Sequence, residues 1–334
     1  MDWNKGFTAR YFAKFVDTDS WRDADEFDII DGSINNTATG LRTSADLTCK
    51  KYDEDAEKYI RIYLDARQNG DGALIPLFTG ISTSPEREIN GRLVTIPLTC
   101  YSVLKPCQDV LLQRGWYAPA EISCDAILKR LLKVTPAPVV FDENVPTLNN
   151  AIIAEDGESN LSMVEKILNA INWQLKIDGD GTIRIVKKTN GVVASFDALD
   201  NDSIEPQLSV TRDWYDCPNV FRAIEDDLSA VARDDNPDSP LSTINRGREI
   251  WLEETDCDLG ENESIADYAI RRLKEEQAVA FSVEYTRRFN PDVQVGDKIR
   301  LHYPEQKVTG NFEIVSQSIT LGYGCRTSEE VNRV

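Results

Sequence analysis

The segment 264–324 constrains the fold more than any other part of the chain, because its pattern predicts one helix followed by a closed set of strands. Ser264 with Asp267 three residues later is typical of a helix N-terminus. The apolar residues that follow recur at the spacing of one helical face. They are Ile265, Ala269 and Leu273.

The rest of this segment alternates between apolar and polar residues with the period of a β-strand. Alternating runs cover 281–286 and 298–303. Turn signals lie between them at Asn290-Pro291 and at Val295-Gly296-Asp297. Gly310 predicts the next break, before a final strand. We therefore expect these strands to form a closed set after the helix.

Composition limits the classes of function. The formal net charge is −20, from 37 Lys and Arg against 57 Asp and Glu, so ordinary binding of a phosphate backbone is not expected. No run of about 18 apolar residues predicts a membrane span. The N-terminus does not resemble a secretory signal. The 334 residues suffice for two or three domains.

The seven cysteines are scattered along the chain and odd in number. None forms a C-x-x-C pair, and the two that lie nearest in sequence are Cys100 and Cys107. This spacing fits neither a disulfide framework nor a zinc site. We predict seven free thiols, as in a chain made in a reducing cytoplasm.

Residues 7–104 predict an all-β region. Apolar residues alternate with polar ones over 41–49 and over 60–64, and a Gly-Asp-Gly turn at 70–72 leads to the next strand. Asn90-Gly91 is a strong hairpin signal. Short, evenly spaced strands of this kind are typical of a barrel or a sandwich.

Residues 105–202 have a different character. Helical spacing at 124–132 and 162–172 is followed by a hairpin, 173–185, whose turn is Asp178-Gly179-Asp180-Gly181. A helix packed on a β-hairpin is therefore expected in this region.

Strand patterns return at 203–225, and the stretch 225–263 then carries thirteen Asp and Glu against three Arg. The fold class predicted is mainly β with an α+β insertion. The domains would be a first tube-like β-barrel at 1–104, an α+β helix–hairpin domain at 105–202, and a second tube-like β-barrel at 203–334. In an alternative, the strands at 203–225 complete the first barrel.

A weak internal similarity links two parts of the chain. Ile60–Leu64 and Phe78–Ile81, joined by a glycine-containing connection, resemble Ile299–Tyr303 and Phe312–Ile314, with Gly310 between them. Either chance or a duplicated barrel explains this similarity, and the sequence leaves both open.

Few residues suggest chemistry. His302 is the sole histidine, which excludes a multi-histidine metal site and argues against a catalytic triad. Asp178–Gly181 resembles the start of a calcium loop, but position twelve is Thr189 rather than Glu. The acidic pairs Asp234-Asp235 and Glu253-Glu254 suit a solvated loop better than a glycosidase site. No catalytic, cofactor-binding or metal-binding residue is predicted, and no cofactor.

The six tryptophans are spread out and form no stripe for stacking sugars or bases. Trp173 alternates with Leu175, which predicts a core position. Trp214-Tyr215 fits either core or interface, and the sequence does not decide between them.

Several features together occur in an order that resembles a known family. They are Gly80 after Leu77-Phe78, the strand Val94–Tyr101, the helix–hairpin Leu168–Ile185, Pro218-Asn219-Val220, the segment Asn236–Gly247, and Val295-Gly296-Asp297 with Gly310–Ile314. The chain resembles the baseplate hub proteins of contractile phage tails, a group that includes late control protein D and the T4-type hub. The hub half of type VI secretion spike proteins is similar.

The resemblance implies a structural virion protein of the tail baseplate, assembled in the host cytoplasm, and not an enzyme. It implies a homotrimer whose six barrels form a ring, because each chain would supply two. One face would meet the hexameric tail tube, or a tube-terminating baseplate protein, and the other a trimeric central spike. The tape measure protein is a further expected partner. The sequence given stops at Val334 without a spike or lysozyme domain, so those activities are not implied.

A trimer would carry 3 × −20 = −60 in formal charge. Acidic residues lining its channel would let DNA pass without specific binding. Two other functions remain open: a hub-like domain of a non-contractile tail-tip protein, and a β-rich receptor- or carbohydrate-binding protein.

Overall fold

The computed structural model describes all residues except 53–55, 84, 143, 189–190, 198–203, 226, 256, 258 and 260–262, and only the backbone of residue 93. The described chain is mainly β with five short helices, which confirms the predicted fold class at this level. Among these helices, none combines the length and the hydropathy that crossing a bilayer requires.

Seven strands form the N-terminal part of the chain. They are β1 (Thr8–Asp17), β2 (Arg22–Thr37), β3 (Thr43–Cys49), β4 (Lys58–Gln68), β5 (Asp71–Thr83), β6 (Glu88–Asn90) and β7 (Leu93–Ser102). Six of them pair in the order β1-β4-β5-β7-β3-β2, and β2 pairs with β1 again. This N-terminal six-strand unit therefore closes on itself, while β6 forms a hairpin with β7.

The predicted alternation is correct in β3, where Ala45, Leu47 and Cys49 are buried. In β4 it is incomplete, because Arg61 on the expected polar face is buried as well. The turn between β4 and β5 is Asn69-Gly70 rather than 70–72. Both of its residues have positive φ, as a two-residue hairpin turn requires.

The middle of the chain mixes helices and short strands. They are α1 (Lys105–Asp109), β8 (Tyr117–Ala118), α2 (Cys124–Leu132), β9 (Val139–Phe141), β10 (Ile152–Ile153), α3 (Asn160–Ala170), β11 (Trp173–Ile177), β12 (Ile183–Lys187) and β13 (Val192–Asp197). The helix–hairpin prediction is confirmed, since Met163 and Ile167 share one core with Trp173 and Leu175. We call residues 105–188 the helix–hairpin unit.

Helix α3 begins two residues earlier than predicted. The side chain of Ser159 accepts a hydrogen bond from the backbone N–H of Ser162 at 3.1 Å and so caps the helix at Ser159. The helix ends at Ala170. Asn172, just before β11, has a positive φ of 54°.

The C-terminal part has eight strands and two helices. They are β14 (Ile204–Arg212), β15 (Val220–Glu225), β16 (Leu228–Arg233), α4 (Thr243–Arg246), β17 (Trp251–Thr255), α5 (Ile265–Ala278), β18 (Phe281–Arg287), β19 (Lys298–Tyr303), β20 (Val308–Thr320) and β21 (Thr327–Arg333). Ser264 caps α5 by accepting from the N–H of Asp267, as predicted.

Helix α5 packs on a different sheet from the strands that follow it. Its buried residues Ala269 and Leu273 share a core with Phe221 of β15, in the three-stranded sheet β16-β15-β17. The predicted break at Gly310 is wrong, because Gly310 lies inside β20, opposite Leu301. The turn before β20 is formed by residues 304–307.

The remaining strands pair in the order β14-β18-β21-β20-β19-β13 and make the C-terminal six-strand unit. When each unit is numbered by its own strands along the chain, leaving out β6, both have the order 2-3-6-5-4-1. The alternative in which 203–225 completes the first barrel is wrong, because β14 pairs with β18 and β15 lies in a separate sheet.

The two units differ in one strand. Strand β13 runs parallel to β19, whereas its counterpart β1 runs antiparallel to β4. No pairing joins β13 to β14 within the described residues, and residues 198–203 between them lie outside those residues. The predicted domain boundary at 202/203 also lies there, so the domain division stays a prediction, as does closure of a second barrel.

Strand β20 belongs to both units. Its first part pairs with β19, and Ser316–Thr320 pairs with Ser33–Thr37 of β2. Side chains follow the same pattern, because Phe289 and Ile319 from the C-terminal part are buried in the core of the N-terminal six-strand unit. The two units are therefore joined by a continuous sheet, and side chains of the C-terminal part complete the N-terminal core.

Candidate assembly interface

Three units meet around one cavity of about 430 Å³. Phe78 of the N-terminal six-strand unit, Trp173 of the helix–hairpin unit and Gln317 of the C-terminal six-strand unit all line it. The contacts around this cavity fix how the units are placed, and so they determine which surfaces the chain can present to a partner.

The hairpin turn at 178–181 docks on the N-terminal six-strand unit. The indole Nε1 of Trp21 and a guanidinium nitrogen of Arg61 both donate to the backbone oxygen of Asp180, at 3.0 and 2.9 Å. The hydroxyl of Thr79 donates to the backbone oxygen of Gly179 at 2.8 Å. A Cβ on Gly179 would lie 1.9 Å from the backbone oxygen of Pro76, so only glycine allows this approach.

The same hairpin contacts the C-terminal six-strand unit through its strand β11. The ammonium of Lys176 lies 2.7 Å from a carboxylate oxygen of Asp297. The turn that carries Asp297 is the predicted Val295-Gly296-Asp297, and Gly296 there has a φ of 83° and packs closely on the side chain of Gln174. The helix–hairpin unit therefore bridges the two six-strand units.

The loop between β2 and β3 adds a third link. The N–H of Ala38 donates to the backbone oxygen of Val315 at 3.0 Å, and the N–H of Gly40 donates to Glu165 of α3 at 2.8 Å. Arg42 lies 3.5 Å from the same carboxylate, and burial lowers the pKa of Arg42 despite that neighbour. Its φ of 65° is unusual for a residue with a side chain.

A buried polar network holds three strands of the C-terminal six-strand unit together. Arg287 of β18 donates to both carboxylate oxygens of Glu329 of β21, at 2.9 and 2.6 Å, with both side chains almost fully buried. Tyr285 and Gln317 donate to the same carboxylate. Burial, followed by the charge of Glu329, raises the pKa of the Tyr285 hydroxyl well above its usual value.

This network also reaches the junction between the two units. Gln317 accepts a hydrogen bond from Asn36 of β2 at 3.2 Å and donates to the backbone oxygen of Val293 at 3.1 Å. The sequence gives no signal for Arg287 and Glu329, because a buried ion pair whose partners lie 42 residues apart leaves no local pattern.

The residues singled out for chemistry occupy structural positions. His302 is half-buried on β19, where it faces Thr309 across the strand pair. Asp178–Gly181 is a hairpin turn, as predicted, and within the described residues no group of acidic, histidine and cysteine side chains is arranged to hold a metal ion.

The prediction that both acidic pairs lie in a loop is wrong for Glu253-Glu254. Glu253 and Glu254 lie in β17, where Glu253 pairs with Arg222 at 2.9 Å and Glu254 with Arg272 at 3.1 Å. Asp234 accepts hydrogen bonds from Ser239 and Gln277 just after β16. These carboxylates bind together the sheet that carries α5.

The seven cysteines are free and buried, which confirms the prediction of free thiols. Burial raises the pKa of Cys107 to about 12 and that of Cys325 to about 11. Trp173 is a core residue as predicted, whereas Trp214 and Tyr215 are exposed by 43% and 78%. Trp214 and Tyr215 are therefore surface residues and not part of the core.

No protein-family model matches the chain, and no curated protein matches it significantly in sequence. Solved structures do match. The tail protein from Neisseria meningitidis MC58 is 15% identical with a TM-score of 0.72, over 97% of this chain and 96% of that chain. The 43 kDa tail protein of prophage MuSo2 from Shewanella oneidensis is 13% identical with a TM-score of 0.70, over 98% of each chain.

A third match comes from a secretion system. The E. coli c3393 protein, a component of the type VI secretion system, is 7% identical with a TM-score of 0.55, over 92% of this chain and 74% of that chain. At these identities the likeness concerns the fold. The chain has the fold of phage tail proteins, which agrees with the family resemblance predicted from its sequence at that coarser level.

Proposed function

We propose that this chain is a structural virion protein, a trimeric hub of a phage tail or baseplate that joins a hexameric tail tube to a trimeric central spike. One observation carries the proposal. The N-terminal and C-terminal six-strand units share the strand order 2-3-6-5-4-1 within one chain. A duplicated module is what a threefold protein needs in order to face a sixfold one.

Symmetry explains why a duplicated module suits a threefold protein. A ring of three chains presents three identical surfaces, and a hexameric tube presents six. Three chains with two similar modules each present six similar surfaces to the tube while keeping threefold symmetry toward the spike. The shared β20 and the bridging helix–hairpin unit support this role, because they hold the two modules of one chain in a fixed relation.

The partners follow from that position. They are two further copies of the chain, the tail tube protein or a tube-terminating baseplate protein, the central spike protein, and the tape measure protein within the tube. The protein would be located in the virion baseplate, would be assembled in the host cytoplasm, and would catalyse no reaction.

The acidity has a purpose in such a ring. Three copies carry a formal charge of −60, from −20 each. Acidic side chains that line the central channel would repel the phosphates of DNA, so the genome would pass without specific binding. Replacing acids at the channel wall with Asn and Gln should slow genome delivery, and unchanged delivery would count against this part of the proposal.

The mass of the purified protein is the first test. Light scattering behind size exclusion should give about 113 kDa for three copies of the 37.6 kDa chain. Electron microscopy should then show a ring with a central hole and a threefold axis. A stable monomer at all concentrations, or a ring of another symmetry, would overturn the hub and leave the receptor- or carbohydrate-binding alternative.

A further inference from the structure

A large groove of about 810 Å³ lies between helix α5 and the end of the C-terminal six-strand unit. Trp214, Ile270 and Phe281 give it an apolar surface. Trp214 and Ile270 are exposed by 43% and 48%, so the groove is open to a partner. This groove is separate from the cavity of about 430 Å³ at which the three units meet.

Five cationic side chains line the groove, and one of them, Arg271, is paired with Glu263 and Glu275. The other four surround the apolar surface: Arg212, Lys274, Lys307 and Arg333. All four are exposed, and within the described part of the chain none of them has a carboxylate partner. Arg212 and Arg333 lie over the ring of Phe281, at 5.1 and 5.8 Å from its centre. We call these four residues and the apolar surface between them the basic groove.

The two acidic residues of the groove do not neutralise it. Glu275 pairs with Arg271 at 3.1 Å and with Arg272 at 2.9 Å, and Asp267 is hydrogen-bonded at the start of α5 to Ser264. The groove therefore keeps an excess of positive charge on a chain whose formal net charge is −20.

Such a groove matters for contact between copies of an acidic chain. Two surfaces that are both acidic repel each other, and like charges placed face to face across an interface cost several kcal/mol. In a cyclic trimer each contact is heterologous, so one patch on a chain meets a different patch on the next. A basic patch on one chain that meets the acidic surface of the next chain avoids this repulsion, and it brings two different patches together as a heterologous contact requires.

We propose that the basic groove is the surface on which a neighbouring copy of this chain docks, through an acidic segment that also carries an apolar side chain. The inference rests on the proposed trimer and adds which surface holds it together. The four cations would pair with carboxylates of the neighbour, while Trp214, Ile270 and Phe281 would cover its apolar side chain.

The test compares two double charge reversals in the full chain. Lys274→Glu with Lys307→Glu changes the groove. Lys50→Glu with Lys133→Glu changes two exposed lysines outside it, and both variants move the net charge by the same amount. We expect the groove variant to weaken trimer association on the order of 100-fold, measured by sedimentation over a concentration series, and the control variant to remain trimeric.

Each outcome has a separate meaning. A wild-type chain that is monomeric at every concentration overturns the proposed hub itself. A trimeric wild type with a groove variant that associates equally well overturns the docking surface alone and leaves the hub standing. Equal weakening in both variants also overturns it, because total charge rather than the groove would then be responsible.

A second measurement does not depend on a charge reversal. A photo-reactive benzoylphenylalanine in place of Lys274 should cross-link to a second copy of the chain, at a peptide rich in Asp or Glu. Cross-links only within one chain would contradict the proposal. Cross-links only to another tail protein, in assembled particles, would assign the groove to that partner and overturn it as well.

Discussion

In the N-terminal six-strand unit every strand has a neighbour on both edges, whereas the described pairings of the C-terminal six-strand unit end at β13 and β14. The two units nevertheless place their strands in the same order. The direction of one strand differs between them, because β13 runs parallel to β19 whereas β1 runs antiparallel to β4.

The cores differ as well. Ile60, Ile62 and Leu64 fill the N-terminal core with apolar side chains. The C-terminal core combines residues such as Ile299 and Phe312 with a buried ion pair. A buried ion pair is weak support for stability in general, but removing one partner is costly, so the C-terminal unit is sensitive to the loss of either Arg287 or Glu329.

The largest expected effects come from two matched substitutions that would each create a cavity. Phe78 and Phe312 are both fully buried on the fifth strand of their units, and Phe→Ala at either position should cost about 3–5 kcal/mol. Urea unfolding followed by circular dichroism measures this, with the exposed Tyr323→Ala as control. Because the two units share strand β20 and C-terminal side chains pack in the N-terminal core, we expect one transition in each variant. Two separate transitions, one moved by each variant, would show that the units fold independently.

The buried ion pair gives the next effect. Glu329→Gln places an amide N–H₂ against the donors Arg287 and Tyr285 and should destabilise the chain by about 3 kcal/mol. Glu330→Gln is the control, since that carboxylate has no ion pair among the described residues. The double variant Arg287→Met with Glu329→Leu should recover most of the stability that Glu329→Gln loses, because no buried charge is then left unpaired. No recovery would contradict the attribution of that loss to the unpaired charge of Arg287.

A smaller effect is expected where the helix–hairpin unit docks. Gly179→Ala puts a Cβ against the backbone of Pro76, so the turn must move away, at a cost of about 1–3 kcal/mol. Hydrogen exchange at the indole N–H of Trp21 should rise, because its bond to Asp180 is lost. Gly191→Ala has open space around it and serves as control. Equal exchange in both variants would contradict the docking contact.

The smallest effect at neutral pH concerns the thiols. Burial raises the pKa of Cys49 and Cys107 to about 12 from an ordinary 9.0. The unfolded chain therefore loses these protons first, so stability is complete below pH 9 and falls as the pH rises toward 12. Melting temperatures at pH 8 and pH 10 should differ, and Cys107→Ala should reduce that difference. An unchanged difference would assign the alkaline loss to other groups.

Regular elements could be predicted where local pattern and burial agree. Helix α2 has the predicted bounds, and the strands at 41–49 and 298–303 follow their alternation, because one face of each is apolar and buried. Strand β2 was missed, since its exposed residues include Asp23, Asp25, Asp28 and Asp31, a residue type that local propensity disfavours in strands. Strand β21 was missed because its inward residues include Glu329, which is buried only with a distant arginine.

The contacts between distant parts of the chain were the least predictable. Asp178–Gly181 could be recognised as a turn, but its docking on Pro76 and Trp21 depends on residues about a hundred positions away or more. The four cations of the basic groove likewise come from β14, α5, the turn at 304–307 and β21, and successive cations are at least 26 positions apart in sequence, since 333 − 307 = 26. Such surfaces exist only once the chain is folded.

The strand β20 has a mechanical consequence for any ring built from this chain. Inside one chain the two modules are joined by a strand common to both, so bending there would require breaking backbone hydrogen bonds. Contacts between chains would lack this common strand. A ring of three chains would thus have three stiff joints and three compliant ones, and strain applied along the tail would widen its opening at alternate seams.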